Sequence, residues 1–231
     1  MHRGREVPGR LPPPVACDGE LRVVEASNQW VVVDKPAGLL SVPGIGEEKK
    51  DCVVARVRAM FPAATGPMMV HRLDMDTSGL MVVALTPGAQ RALSGQFERR
   101  ETHKRYVALL DGIVAHADEG EVDAPLRLDV SRRPFQVYDW LHGREAVTRW
   151  RVLSFEVDRT RVALWPLTGR THQLRVHAAL LPPIGIGRAI VGDPLYGRRL
   201  SGERLMLHAG ELGFSDPGGG GGVLFRSAVP F

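Results

Sequence analysis

The sequence has few features of a metal-binding, disulfide-stabilised or nucleotide-binding protein. It contains two cysteines, Cys17 and Cys52, and neither belongs to a paired-cysteine motif, so a disulfide framework or a zinc cluster is not expected. Nucleotide-binding motifs and metal-ligand spacings are also absent. We therefore expect a protein that uses no cofactor and no metal.

Long apolar runs are missing as well. No run approaches the roughly 18 residues of a membrane-spanning helix, and residues 1–14 lack the apolar stretch of a secretory signal. We therefore expect a cytoplasmic protein without membrane contact. Hydrophobic residues make up 44% of the 231 residues, which is enough for a substantial core in one domain or two small ones.

The chemically densest stretch is HRLDMDTSGL, residues 71–80. It places two carboxylates, an arginine, a histidine and two hydroxyls between the apolar runs 68–70 and 80–85, which are predicted to be buried strands. Loops held between buried strands often carry function. Gly79 is expected to let the backbone turn before the second strand. Taken alone, the stretch also fits an ordinary polar turn.

The same stretch resembles the HRLDxxTSGL signature of the RluA-type pseudouridine synthases. Four further blocks resemble that family in the family's own order: VDKPAGLL at 33–40, KRYVA at 104–108, GRTHQLRVH at 169–177 and LMLHA at 205–209. The segment at 39–44 is most similar to the RluA subgroup, whose members modify both ribosomal and transfer RNA. On these blocks the chain is identified as a member of the family.

The resemblance implies an isomerase that converts specific uridines of structured RNA to their C-linked form. The reaction breaks the glycosidic bond, rotates the freed uracil and rejoins it through carbon, which requires neither cofactor nor metal. The implied partner is a stem-loop of 23S ribosomal RNA, a tRNA anticodon stem-loop, or both. The sequence does not say which uridine is modified, and we expect a monomer.

Three catalytic residues follow from the resemblance. It places the catalytic carboxylate, a nucleophile in the family, on Asp74, and it makes Arg175 the ionic partner of Asp74. Tyr106 is implied to stack on the target base and to assist proton transfer. Asp76 occupies a variable family position and is expected to be a structural turn residue. Whether Asp74 attacks the sugar or the base, or supports an elimination, stays open.

Other residues are implied to bind RNA. Arg72 matches the side chain that fills the space left by a flipped nucleotide, and Leu207 is expected to pack against the Tyr106 ring. His71 and His172 are expected to be hydrogen-bonded structural residues. Further RNA contacts are predicted for Arg170, Lys104 and Arg105.

Basic residues occur in groups although the formal net charge is only +4. Any one group fits a solvated face, whereas three groups near a candidate site predict a nucleic-acid groove. The groups are Arg99, Arg100, Lys104 and Arg105; Arg127, Arg132 and Arg133; and Arg144, Arg149 and Arg151.

Hydrophobic patterning predicts an α+β domain with a mixed, mostly antiparallel central sheet and flanking helices. Strands are predicted at 21–25, 30–34, 106–110, 135–139, 146–156, 161–167 and 205–208. Helices are predicted from the N-cap Asp51 to Phe61, after the N-cap Thr86, and from 168–171 to Leu181.

The remaining segments define the domain organisation. Residues 1–19 are predicted to be a flexible N-terminal tail, and residues 20–231 to form the catalytic domain, with no S4-like RNA-binding domain before residue 20. Residues 113–133 are expected to be irregular, and the five glycines at 218–222 to be flexible. The loop at 182–189 departs from the family pattern.

Two other functions fit parts of the sequence. Residues 74–77 match the first four positions of the DxDxT box of magnesium-dependent haloacid-dehalogenase-like phosphatases, although His71 and Arg72 interrupt the apolar strand that such enzymes need before the first aspartate. The basic groups would also suit an RNA-binding protein without catalytic activity. The presence of Asp74, Tyr106 and Arg175 disfavours that alternative.

Overall fold

The structure, a computed structural model, describes residues 19–197 and 203–231. All but the last residue of the predicted N-terminal tail lies outside this range. The described residues form eleven strands, three α-helices and one short 3-10 helix. The strands are β1 (Arg22–Ala26), β2 (Trp30–Lys35), β3 (Ser78–Ala84), β4 (His103–Asp111), β5 (Glu119–Asp123), β6 (Leu126–Leu128), β7 (Gln136–Tyr138), β8 (Val147–Glu156), β9 (Arg159–Pro166), β10 (Leu207–Ser215) and β11 (Gly222–Arg226). The helices are α1 (Val53–Met60), α2 (Pro87–Glu98), α3 (Gln173–Ala179) and the 3-10 turn Glu47–Lys49.

The α+β architecture is confirmed. In the described part of the chain, nine strands form one sheet in the order β1-β2-β3-β10-β4-β9-β8-β5, with β11 paired to β10, while β6 and β7 form a separate ribbon. The strands are antiparallel except where β3 runs parallel to β10. That parallel junction joins the end of the 71–80 stretch to the LMLHA block.

The centre of the sheet is buried on both faces. Leu80 and Val82 of β3 pack with Leu93 of α2 on one face. Met81 and Val83 project to the other face and pack in the cluster that contains α1. Because both faces are covered, β3 is a continuous apolar run rather than an alternating one. None of the helices in the described ranges is long and apolar enough to cross a lipid bilayer.

The helix starts show one confirmed and one wrong prediction. Thr86 caps α2, and its hydroxyl accepts a hydrogen bond from the Ala89 amide at 3.2 Å. Cys52, not Asp51, is the N-cap of α1, because its sulfur accepts from the Ala55 amide at 3.4 Å. The Asp51 carboxylate instead binds Arg56.

Three segments differ from the sequence-based expectation. Residues 113–133 contain β5 and β6, so the expected irregular chain is wrong; β5 buries only Val122 and is held by pairing with β8. The glycines at 218–222 form the turn between β10 and β11 and begin β11. Residues 68–70 form an isolated bridge through Met69 rather than a strand.

The third helix is shorter than predicted. It begins at Gln173, and it ends at Ala179 rather than Leu181, whose side chain is 71% exposed. The loop that departs from the family pattern folds back onto this helix, where the Ile186 amide donates to the His177 carbonyl at 3.0 Å. Ile186 is buried in the core, so the unusual loop closes the C-terminal end of α3.

Candidate active site

A cleft of about 580 Å³ opens between the 71–80 loop, strand β4 and the segment that leads into α3. Most of the residues predicted from the sequence meet there. Those lining the cleft are Asp74, Tyr106, Arg175, Arg72, Leu207, Arg170 and Lys104.

The backbone on both sides of Asp74 is fixed by the 33–41 segment. The Ser41 hydroxyl donates to the Leu73 carbonyl at 2.7 Å and accepts from the Leu73 amide at 3.1 Å. The ammonium group of Lys35, a fully buried residue, donates to the Met75 carbonyl at 2.7 Å. Because Leu73 and Met75 are both held, the position of Asp74 is defined by the loop rather than by its own side-chain contacts.

Arg175 is the charged partner of Asp74. Its Nη1 lies 3.5 Å from Oδ2 of Asp74, and the two side chains are 3% and 19% exposed. Helix α3 directs Arg175 inward, so the residue is buried. A buried guanidinium therefore places a positive charge beside the Asp74 carboxylate.

A second carboxylate, Asp193, holds the same arginine and was not singled out from the sequence. Nε of Arg175 donates to Oδ2 of Asp193 at 2.8 Å, and Nη2 donates to Oδ1 at 2.7 Å. Burial opposes the charge of Arg175, but the hydrogen bonds to Asp193 and the charges of Asp193 and Asp74 raise its pKa above the ordinary value. In the sequence, Asp193 is marked only by its position in the VGDPLYG segment, residues 191–197.

Tyr196 completes the surroundings of Arg175. Its ring centroid lies 5.4 Å from the guanidinium carbon, within the range of a cation–π contact. Its hydroxyl accepts from the Gln136 amide at 2.7 Å and is hydrogen-bonded to Nδ1 of His172 at 2.9 Å. Burial raises the pKa of Tyr196 to about 12, so the phenol is neutral at physiological pH.

Tyr106 reaches the cleft from β4. Its ring packs against the apolar cluster that contains Leu207. Burial, together with the negative charge of Asp74, raises the pKa of Tyr106 well above its ordinary value. The cleft therefore presents a neutral phenol near a carboxylate.

The rim of the cleft is basic. Arg72 is exposed, and Lys104 lies with its ammonium 6.0 Å from the Phe97 ring. Burial and the charge of Arg100 lower the pKa of Lys104. Arg170 donates from Nε to the Glu145 carbonyl at 2.8 Å. These side chains give the rim the charge that an RNA backbone would complement.

Arg105, predicted as an RNA contact, does not line the cleft. Successive residues of a strand point to opposite faces, so Lys104 and Tyr106 face the cleft and Arg105 faces away. Its guanidinium lies 3.4 Å from the Glu211 carboxylate and 5.9 Å from the Trp165 ring centroid.

Only the first of the three basic groups contributes side chains to the cleft, through Arg100 and Lys104. Residues of the other two groups do not line this cleft, so their part in a nucleic-acid groove stays a prediction. Most members of the other two groups form surface ion pairs: Arg127 with Asp139, Arg132 with Asp129, Arg149 with Glu121 and Arg151 with Glu119.

The two histidines near the site are hydrogen-bonded, as predicted. Nε2 of His71 accepts from the Val82 amide at 3.1 Å, and its ring stacks on Phe97 at 4.3 Å. Burial and the charge of Lys104 lower the pKa of His71 to about 3. His71 is therefore neutral, and its contacts hold the start of the loop against β3.

The phosphatase alternative fails on geometry. In that class the first aspartate of the DxDxT box follows a buried parallel strand. Here residues 70–74 are not strand, and the strand β3 comes after the box instead of before it.

Comparison with known proteins gives one consistent result. A model of the RNA pseudouridylate synthase family matches residues 29–180. The dual-specificity RNA pseudouridine synthase RluA of Escherichia coli strain K12 is 44% identical over 215 residues, which cover 91% of this chain and 94% of that protein. The protein of the same name from Haemophilus influenzae is 39% identical over 91% of this chain and 94% of that protein.

Solved structures agree. The human RNA pseudouridylate synthase domain containing 1 aligns with a TM-score of 0.71 and 30% identity over 92% of this chain and 84% of that chain. The human domain containing 4, at 23% identity, shares the fold with a TM-score of 0.70 over 90% and 88% of the two chains. With the family model and the curated relatives, these matches show that the chain belongs to the RNA pseudouridylate synthase family of isomerases.

Proposed function

We propose that this pseudouridine synthase isomerises specific uridines in a tRNA anticodon stem-loop and in a stem-loop of 23S ribosomal RNA, with Asp74 as the nucleophile and with the target base flipped out of its helix. The observation that carries the proposal is the arrangement of Asp74, its buried partner Arg175 and the phenol of Tyr106 in one basic-rimmed cleft. The relatives that are 39–44% identical to this chain carry the dual-specificity name.

Asp74 supplies the negative charge that the first step needs. The bond between C1′ of the ribose and N1 of the uracil breaks, and an ionised carboxylate either bonds to the substrate or stabilises the cationic sugar. The uracil rotates and a bond forms between C1′ and C5, while any bond between Asp74 and the substrate breaks and frees the carboxylate. The proton on C5 is then transferred so that N1 ends protonated. No atom or electron is gained or lost overall.

Tyr106 supports the base during the rotation. A ring packed against the Leu207 cluster presents one face to the cleft, and a flipped uracil can stack on such a face. Because burial raises the pKa of Tyr106, its hydroxyl stays protonated at neutral pH. The phenol can therefore donate a hydrogen bond to the uracil. It can pass on the C5 proton only after another group has accepted the phenol's own proton.

Base flipping follows from the depth of the carboxylate. The Asp74 side chain is 19% exposed, so a uracil stacked within an RNA helix cannot bring its glycosidic bond to it. Arg72 is exposed at the rim directly before Leu73 and Asp74. A long cationic side chain there can occupy the space that the uridine leaves and contact the neighbouring phosphates.

The proposal is tested by assaying Asp74→Asn on both RNA classes. Purified wild-type and variant proteins are incubated with tRNA and with a 23S ribosomal RNA fragment, and pseudouridines are mapped by carbodiimide modification and primer extension. The wild-type protein is expected to modify one stem-loop uridine in each RNA, and the variant neither. Normal turnover by the variant would refute the role of Asp74, and modification of a single RNA class would refute dual specificity. Cytoplasmic location and a monomeric state remain predictions.

A further inference from the structure

The buried residue Asp193 has no role in the chemistry described above. Its side chain is 0% exposed, and it forms an ion pair with Arg175, which is 3% exposed. Two buried charges are costly to desolvate unless both are fully hydrogen-bonded. A pair retained next to a catalytic carboxylate therefore calls for an explanation in terms of the site.

The geometry of Arg175 supplies that explanation. Asp193 takes both Nε and Nη2, at 2.8 and 2.7 Å, which is one edge of the guanidinium fork. Only Nη1 faces Asp74, at the longer distance of 3.5 Å. A planar fork that is bidentate to one carboxylate cannot offer the same edge to another. Asp74 therefore has a cation beside it without the tight bidentate bond that would occupy both of its oxygens.

Asp193 is itself held rigidly. Its Oδ1 also accepts hydrogen bonds from the Leu195 amide at 2.8 Å and from the Tyr196 amide at 3.0 Å. The preceding Gly192 has a φ of 73°, and a Cβ there would lie 2.0 Å from the Arg204 carbonyl oxygen. The turn is thus fixed on both sides of the Asp193 carboxylate. Because Arg175 is hydrogen-bonded to that carboxylate, the position of its guanidinium is fixed as well.

We propose that Asp193 is a positioning residue for catalysis: it locks the fork of Arg175 so that the guanidinium supports Asp74 through Nη1 alone and leaves an Asp74 oxygen available to the substrate. This inference rests on the proposed role of Asp74. Without the Asp193 charge, Arg175 is free to turn its fork onto Asp74 and neutralise the attacking carboxylate. Tyr196, whose ring centroid lies 5.4 Å from the guanidinium carbon, packs beside the arginine but cannot replace the lost charge.

The chain contains a matched control. Asp139 forms the same kind of turn, because its Oδ1 accepts from the Leu141 and His142 amides at 3.0 Å each and its Oδ2 accepts from Nε of Arg127. Arg127 is not part of the cleft. Asp193→Asn and Asp139→Asn therefore each remove one carboxylate charge from the same kind of turn. Asp193 is 0% exposed and pairs with Arg175, whereas Asp139 is 18% exposed and pairs with Arg127.

The test is single-turnover kinetics combined with RNA binding. Asp193→Asn is expected to lower the single-turnover rate by about 100-fold, the effect of a displaced catalytic group, with RNA affinity within about threefold of wild type. Asp139→Asn is expected to change neither. In an Arg175→Lys background, which has no fork to orient, the added Asp193→Asn substitution should cost less than about tenfold. A purely structural role predicts the same loss in both backgrounds.

An equal loss in both backgrounds overturns the inference. A folded Asp193→Asn protein with a rate within about threefold of wild type, while Asp74→Asn is inactive, also overturns it. An active Asp74→Asn protein would instead refute the proposed function. If Asp193→Asn does not fold, the unmodified enzyme decides by NMR of the Arg175 Nε–H, assigned by its absence from Arg175→Lys. This proton is expected to be protected from solvent exchange with and without RNA, and rapid exchange in either state contradicts the proposal.

Discussion

The ammonium group of Lys35 lies 2.7 Å from the carbonyl oxygen of Met75, the residue directly after Asp74. The same ammonium donates to the carbonyls of Leu39 and Pro36 at 2.7 and 3.0 Å. Lys35 is fully buried, so these bonds form away from water, where a charged donor is strongest. The lysine of the DKPxGLL block is thus a fixed link between the N-terminal segment and the catalytic loop.

Lys35→Met is predicted to damage both stability and turnover. The substitution leaves buried carbonyl oxygens without their donor, which costs about 3 kcal/mol in the free energy of unfolding. A loop shifted by about 1 Å should lower the single-turnover rate about 100-fold. Urea denaturation and rate measurements check the two effects. Lys50→Met, at an exposed pair with Glu47, is the control and should change stability by less than about 0.5 kcal/mol.

Gly79→Ala is predicted to destabilise the parallel junction of β3 and β10. Gly79 has a φ of 115°, and a Cβ there would lie 2.4 Å from the Ala209 carbonyl oxygen. We expect a loss of at least about 3 kcal/mol from backbone strain and the clash. Gly88→Ala in α2, where a Cβ meets no atom within 4 Å, should be neutral or stabilise by up to about 1 kcal/mol. Equal melting temperatures for the two variants would contradict this account of the junction.

RNA affinity is predicted to fall steeply with salt, and Arg170 is predicted to contribute to that dependence. Arg170→Ala should reduce the slope of log K against log salt by about 0.7 to 0.9, the value for one lost phosphate contact. Arg151→Ala, which removes a partner of Glu119 outside the cleft, should leave the slope unchanged. A salt-independent affinity of the wild-type protein, or equal slopes for both variants, would be inconsistent with a phosphate-binding rim.

Stability is predicted to fall on acidification because of His177. Burial lowers its pKa to about 4, whereas the unfolded chain titrates near 6.5. Between these values the unfolded state binds a proton that the folded state does not, so the free energy of unfolding decreases by about 1.4 kcal/mol per pH unit as the pH falls. The neutral ring is held by Thr148 and by the Ala124 carbonyl.

His177→Gln should reduce that slope by about 1.4 kcal/mol per pH unit. Urea denaturation between pH 6.5 and 4.5 measures the change. The remaining slope is expected from the other buried histidines: His71, whose pKa is lowered to about 3, and His172 and His208, whose pKa values burial also lowers. Parallel pH profiles for the wild-type and variant proteins would show that His177 is not buried as a neutral ring.

The motif blocks picked out residues that the structure brings together, because each block carries a residue whose chemistry is distinctive. Asp74, Tyr106 and Arg175 come from three blocks far apart in sequence and line one cleft. The alternation of β4 could also have shown that Arg105 faces away from Lys104 and Tyr106, since a strand has a period of two. The RNA contact predicted for Arg105 stays a prediction, since the structure shows only that Arg105 does not line the cleft.

Other features depend on tertiary contacts that no local pattern contains. Strand β5 buries only Val122, so its sequence shows no hydrophobic alternation. Asp193 is one polar residue in a glycine- and proline-containing turn, and its importance arises only because α3 places Arg175 beside it. Cys52 is the N-cap because α1 begins at Val53, one residue later than the preference of Asp51 for the cap position indicated.

The central claim, that Asp74 is the catalytic carboxylate, is tested most directly by comparing Asp74→Asn with Asp76→Asn. The two aspartates lie in the same loop and the substitutions are identical, but Asp74 lines the cleft and lies 3.5 Å from Arg175, whereas Asp76 does not line the cleft. Single-turnover conversion of a tRNA anticodon stem-loop, quantified by nucleoside mass spectrometry, should fall by at least about 1,000-fold for Asp74→Asn and by less than about tenfold for Asp76→Asn. Comparable rates for the two variants, or a larger loss for Asp76→Asn, would contradict the account.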